Sequence, residues 1–207
     1  MFRNYLKIAW RNHSRNKGLS FINICGLTVG MCFALLIGMW VKYEMSYDKF
    51  HKNIDRIAGV WKHTLFNNEK GTQSGIMLPL YDELVKNYPE IKRATRMDWG
   101  GGHSLVVGDK KIVKRGNFVD PAFLHMFTFP IIKGDINTAL NEPNSLVLTE
   151  SLAKALFGNE EAMGKLIKLD NQYTLKVSAI MKDVPHNSSF RFDFLIPFEW
   201  RIQNEEW

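Results

Sequence analysis

The stretch GNEEAMGKL, residues 158–166, places two glycines and a lysine in the order of a phosphate-cradling loop. In such a loop backbone N–H groups hold the phosphates, the lysine reaches the terminal ones, and a Ser or Thr hydroxyl binds magnesium. Here one residue too many separates the glycines, and Leu166 stands where the hydroxyl is needed. The parts for binding ATP are missing. Asp48, His51 and Asp55 are spaced so that a helix would bring pairs of them together as metal ligands. Neither pairing completes a three-ligand zinc pattern, and the expectation is a hydrated cap on a preceding apolar run. His103 follows Gly100, Gly101 and Gly102, a loop flexible enough for an active site, yet no Gly-x-Ser-x-Gly nucleophile motif accompanies it. Asn187, Ser188 and Ser189 fit a glycosylation triplet only formally. No catalytic, cofactor or metal site is expected, and the chain does not read as an enzyme.

The elements that would position these residues begin with an uncharged run over residues 19–41, interrupted by little more than Ser20, Asn23 and Thr28. At about 1.5 Å per residue a helix of that length crosses the ~30 Å hydrocarbon core of a bilayer. A buried helix of a soluble domain would show a polar stripe. A cleaved export signal would be shorter and would end in small residues, whereas this run leaves through Met39, Trp40, Val41, Lys42 and Tyr43. A permanent span is expected. Cys25 and Cys32 share a face of it and read as small apolar residues. No cysteine follows, so nothing beyond the span depends on an oxidising compartment.

Charge gives the orientation. Residues 1–18 carry Arg3, Lys7, Arg11, Arg15 and Lys17 without a single Asp or Glu, which places the N-terminus in the cytoplasm. The formal charge of the chain is +6; setting those five cations aside leaves 22 Lys+Arg against 21 Asp+Glu beyond the span. The basicity is a topology signal and not a nucleic-acid footprint.

Within the span Gly26, Gly30, Ala34 and Gly38 recur every four residues. Small residues in register let a second helix approach closely, although glycine is also common in membrane helices generally. Ahead of the span Phe2, Tyr5, Leu6, Ala9, Trp10 and His13 follow helical spacing opposite the cations. That pattern suits a helix lying along the cytoplasmic membrane surface, the alternative being a short disordered basic tail.

Residues 42–207 are numerous enough for one ordinary core, and no repeat or linker divides them. Residues 54–64 read as a strand, 67–71 as a turn, and 78–88 as a helix ended by Pro89. Residues 104–107 and 111–114 read as a hairpin around Gly108, Asp109 and Lys110, and Asp120-Pro121 as a helix start. Ser145 to Leu148 read as a strand, Thr149 as a cap, and residues 150–157 as a helix stopped by Gly158. After a strand over 165–169 and a turn at Asp170-Asn171, a strand is expected in which Tyr173, Leu175, Val177, Ala179 and Met181 point one way and Thr174, Lys176, Ser178 and Lys182 the other. The expected class is α+β with largely antiparallel pairing, organised as a cytoplasmic basic segment (1–18), a transmembrane helix (19–41) and a periplasmic domain (42–207).

Six stretches, NYLKIAWRNHSRNKGLSFINICGLTVGMC, YDKFHKNIDRI, YPEIKRATR, FVDPAFLHMFTFPIIKGD, ALNEPNSLVLTESLAKALFG and IMKDVPHNSSFRFDFL, occur in family order over nearly the whole chain. In them the chain resembles the N-terminal part of bacterial MacB/FtsX-like ABC transporter permeases of Bacteroidetes type. The resemblance implies an inner-membrane permease subunit with a MacB-like periplasmic core domain, dimeric, driven by a separate cytoplasmic ABC ATPase through mechanotransmission. In some members it implies a periplasmic adaptor and an outer-membrane channel for efflux. Such permeases continue through three more membrane helices, and this chain shows no second apolar run. The expectation is therefore a permease subunit or a fragment of one. A bitopic sensor with an extracytoplasmic ligand-binding domain accounts for the same topology, and a membrane-tethered hydrolase lacks a visible nucleophile.

Overall fold

The computed structural model describes residues 2–204. They divide after Tyr47 into two units, and each is described by itself. The first holds α1 (Phe2–Arg15) and α2 (Lys17–Glu44), meeting at Asn16. Straight-chain and small residues dominate α2, and its polar side chains bond back to helix carbonyls: the Thr28 hydroxyl donates to the Ile24 carbonyl at 2.7 Å. α2 is long and apolar enough to cross a membrane, and none of its residues is buried.

The second unit is α+β. Its elements are β1 (Lys62–Phe66), β2 (Glu69–Gln73), α3 (Pro79–Asn87), β3 (Gly101–Val107), β4 (Lys110–Val119), α4 (Ala122–Met126), β5 (Ile131–Lys133), β6 (Ser145–Thr149), α5 (Glu150–Phe157), β7 (Leu166–Leu169), β8 (Tyr173–Met181), β9 (Phe194–Pro197) and α6 (Phe198–Asn204). β1 and β2 form a separate hairpin; the other strands follow the order β5-β8-β6-β9-β4-β3-β7. β7 pairs back onto the first half of β8, closing a ring, while β5 adds to the second half of β8. The β4–β9 and β6–β8 pairs are parallel and the remaining pairs antiparallel.

Two apolar clusters lie on opposite faces of this sheet. Inward-facing Leu105, Phe118, Leu146, Leu148, Ile167, Leu175 and Phe194 pack with Leu152 and Leu156 of α5 and Trp200 of α6. Val119, Val147, Ala179, Met181 and Leu195 point the other way, onto Phe123 and Leu124 of α4 and onto Phe129. β6 and β9 are buried on both faces, which explains their unbroken apolar runs.

Four local readings of the sequence need correction. Residues 54–64 are not one strand: Ile54–Arg56 form a 3-10 turn and pairing begins only at Lys62, because the 51–57 backbone satisfies itself through Ile54 N–H to His51 and Ile57 N–H to Ile54. The turn at 67–71 is narrower, since only Asn67 and Asn68 take positive φ and Glu69–Gln73 is β2. Asp120 does not cap α4 with its side chain, which is engaged with Arg96. Finally, Leu175, Val177, Ala179 and Met181 do not share a face. The pairing of β6 with β8 jumps from Val177 to Ala179, so Ser178 is a bulge residue and everything after it changes side. The Ser178 hydroxyl donates to the Ala139 carbonyl at 2.5 Å and lies 3.2 Å from the Leu146 carbonyl.

Candidate functional site

Two regions hold the residues of interest, one in each unit. In α2 the small residues Gly26, Gly30, Ala34 and Gly38 lie on one i, i+4 row, about 18 Å from end to end at the helical rise. A methyl group added at Gly26, Gly30 or Gly38 meets nothing within 4 Å, so the row is an open groove in the helix surface. Cys25 and Cys32 are free thiols. Arg3, Lys7, Arg11 and Arg15 lie along α1 with their side chains exposed. Trp10, 79% exposed, sits at the border between those cations and the apolar face. Lys17 opens α2.

In the second unit the first residues after the membrane-length helix are not a hydrated cap. His51 is only 2% exposed, and neither ring nitrogen has a hydrogen-bond partner. Four phenylalanine rings enclose it: Phe50 at 4.0 Å, Phe129 at 4.9 Å, Phe127 at 5.4 Å and Phe190 at 6.0 Å between centroids. The period-two pair Phe127/Phe129 was the one sequence signal for this pocket, and nothing in the sequence linked it to His51. Burial lowers the pKa of the His51 imidazole, and the nearby Asp48 carboxylate opposes that shift.

Both neighbouring segments tie the 48–53 stretch down. Asp48 takes φ 55°, donates its N–H to the Asn187 carbonyl at 2.9 Å, and accepts from the Ser189 N–H at 2.9 Å and the Ser188 hydroxyl at 3.2 Å. On the other side the Lys52 N–H donates to the Thr128 hydroxyl at 3.1 Å, and Asn53 reaches the Met126 carbonyl at 3.4 Å. Asp48 thus holds the 187–189 segment through its own N–H and its carboxylate. Of the formal glycosylation triplet, Ser188 is 1% exposed and faces Asp48, while Asn187 is half-buried and Ser189 is exposed.

The remaining chemical candidates resolve into structural roles. A phosphate loop runs from a strand into a helix; residues 158–166 run from α5 into β7, with Gly158 at φ 66° ending the helix. Lys165 pairs with Glu160. His103 shares a 2.7 Å hydrogen bond with Asp170 and sets its ring edgewise on Phe118 and Phe194. Among the described residues no three His, Cys, Asp or Glu side chains are grouped to hold a metal ion.

The sequence profile of the MacB-like periplasmic core domain matches residues 20–206. Solved structures of similar fold include the following three. A domain assigned to a permease protein from Porphyromonas gingivalis is 26% identical, with a TM-score of 0.57 over 64% of this chain and 56% of that one. The periplasmic region of MacB from Actinobacillus actinomycetemcomitans is 19% identical, with a TM-score of 0.51 over 63% and 58%. The extracellular domain of the noncanonic ABC-type transporter YknZ from Gram-positive bacteria is 14% identical, with a TM-score of 0.51 over 62% and 66%. The last two show a shared fold alone. The match spans less than two thirds of each of these solved chains. No curated protein matches the sequence.

Proposed function

The chain belongs to the MacB-like periplasmic core domain family, and from that premise we propose that it is a permease subunit, or part of one, of an ABC-type transporter in the bacterial inner membrane. The observation that carries this reading is the succession, in one chain, of a helix able to cross a bilayer and a domain of this family. The basic segment 1–18 remains in the cytoplasm, α2 spans, and residues 42–207 fold in the periplasm. α1 rests on the cytoplasmic membrane surface through its aromatic residues, while Arg3, Lys7, Arg11, Arg15 and Lys17 face headgroups and cytosol.

In this reading the subunit does no chemistry of its own. A separate cytoplasmic ABC ATPase supplies energy, and its stroke reaches the periplasmic domain through membrane helices, which is mechanotransmission rather than passage of cargo through this domain. Gly26, Gly30, Ala34 and Gly38 let α2 pack closely against a helix of a second permease copy or another membrane segment. An adaptor and an outer-membrane channel complete an efflux route where the system has one.

The test is isolation of the endogenous protein from native membranes with an antibody against residues 135–144. The expected result is a band several-fold heavier than 24.0 kDa that brings down vanadate-sensitive ATPase activity. A partner or downstream region carrying a kinase or methyl-accepting helix, with no ATPase, would replace the transporter by the bitopic sensor.

A further inference from the structure

The geometry points to a proton-operated latch at His51, which holds residues 48–53 in the phenylalanine pocket when neutral and releases them when protonated. An imidazole that is 2% exposed with two unpartnered nitrogens is stable there only as the neutral ring. Protonation would turn the remaining acceptor nitrogen into a second N–H donor and add a full charge with no acceptor in contact, among the rings of Phe50, Phe127, Phe129 and Phe190. The ring then gains more by reaching water than by staying.

The charged groups around it do not compensate. On its own segment Asp48 is the one carboxylate that acts on the ring, and its oxygen is already accepting from Ser188 and Ser189. From the 126–130 segment the ring meets Phe127 and Phe129, which do not titrate. From the 185–191 segment it meets Phe190, while the Arg191 guanidinium is directed at the carbonyls of Pro185, His186 and Phe190. Asp48 therefore opposes the loss of the proton without cancelling the effect of burial.

The sign follows from linkage. The folded pocket lowers the His51 pKa below its ordinary value of 6.5. Stability of the latched state is complete above that value and is lost as pH falls through the folded pKa. The ties at risk are those of Asp48 to Asn187 and Ser189 and of Lys52 to Thr128, all of which depend on residues 48–53 staying in place. These are the first residues of the second unit. The latch does not depend on the transport reading, because it is a property of the second unit alone.

The test is hydrogen exchange of the full chain in lipid nanodiscs between pH 7.5 and 5, corrected for intrinsic rates, with peptides covering residues 48–57 and 184–191. A several-fold loss of protection on acidification is expected there, with β6 and β9 unchanged. His51→Phe should keep the protection of pH 7.5 at every pH. Asp48→Asn, which removes the charge that favours the imidazolium, should move the opening to lower pH. Protection of residues 48–57 that is independent of pH in the unaltered chain overturns the proposal, and so does an unchanged pH response in His51→Phe. The first of those results requires no variant to fold.

Discussion

The Asp120 carboxylate accepts both the backbone N–H of Arg96, at 2.6 Å, and its guanidinium, at 2.7 Å. The guanidinium lies between the Tyr81 ring at 4.2 Å and the Phe198 ring at 4.6 Å. One ion pair thus joins α3, the end of β4 and α6. Asp120→Ala leaves a half-desolvated cation without its anion and should cost about 3 kcal/mol, at the lower end for a broken buried pair because Arg96 keeps some solvent contact. Urea unfolding followed by tryptophan fluorescence measures it. Adding Arg96→Met should restore part of the loss, and a double variant no more stable than Asp120→Ala would show that the charge left behind is not the cause.

Gly116 is needed for space rather than for its dihedral angles. A Cβ there would stand 2.1 Å from the Phe194 ring, on the neighbouring parallel strand. Gly116→Ala should destabilise the domain by about 1–3 kcal/mol through forced displacement of that ring. In a Phe194→Leu background the same change should cost markedly less, which thermal unfolding of the four proteins would reveal.

β6, α5 and the β7–β8 turn were legible in the sequence because the signals are local: a buried run, a glycine at φ 66°, and Asp170-Asn171 in the left-handed region. β8 was legible as a strand but not in its facing, because the bulge at Ser178 depends on its pairing with β6, which lies far away in the chain. β5 and β9 are too short to show a period. The His51 pocket was misread for the same reason, since Phe127, Phe129 and Phe190 come to it through tertiary folding. The i, i+4 row of Gly26, Gly30, Ala34 and Gly38 follows from helical spacing alone.

The cap of α5 is another long-range feature hidden behind a local one. Thr149 occupies the cap position without a side-chain bond, and Asp183 instead accepts the Ser151 N–H at 3.0 Å together with its hydroxyl. Asp183→Ala should therefore cost about 1 kcal/mol, as loss of a cap does, while Thr149→Val should cost less. Exchange rates in the first turn of α5 report the difference, and equal effects of the two changes would contradict the assignment.

Gly30 stands in the middle of the open row on α2. If that row is a packing surface, Gly30→Leu should strongly reduce chemical cross-linking between copies in native membranes, while Leu36→Ala, outside the row, should leave it near its original level. Equal cross-linking of Gly30→Leu and the unaltered chain would remove the row from the assembly.

Orientation rests on the N-terminal cations alone, since the stretch after the span mixes Lys42, Glu44, Asp48 and Lys49. Alkaline phosphatase folds only outside the cytoplasm, so a fusion after Asn204 reports which side the second unit reaches. The unaltered chain should give high activity. Replacing Arg3, Lys7, Arg11, Arg15 and Lys17 by glutamine removes the positive bias, and the activity should fall several-fold as a share of chains inserts the other way. Trp10→Ser should act differently: it weakens the hold of α1 on the membrane surface without changing charge, so orientation should persist while exchange protection of α1 falls. If the glutamine variant kept full activity, the folded domain itself would be fixing the topology, and the cations would be left with headgroup contact as their role.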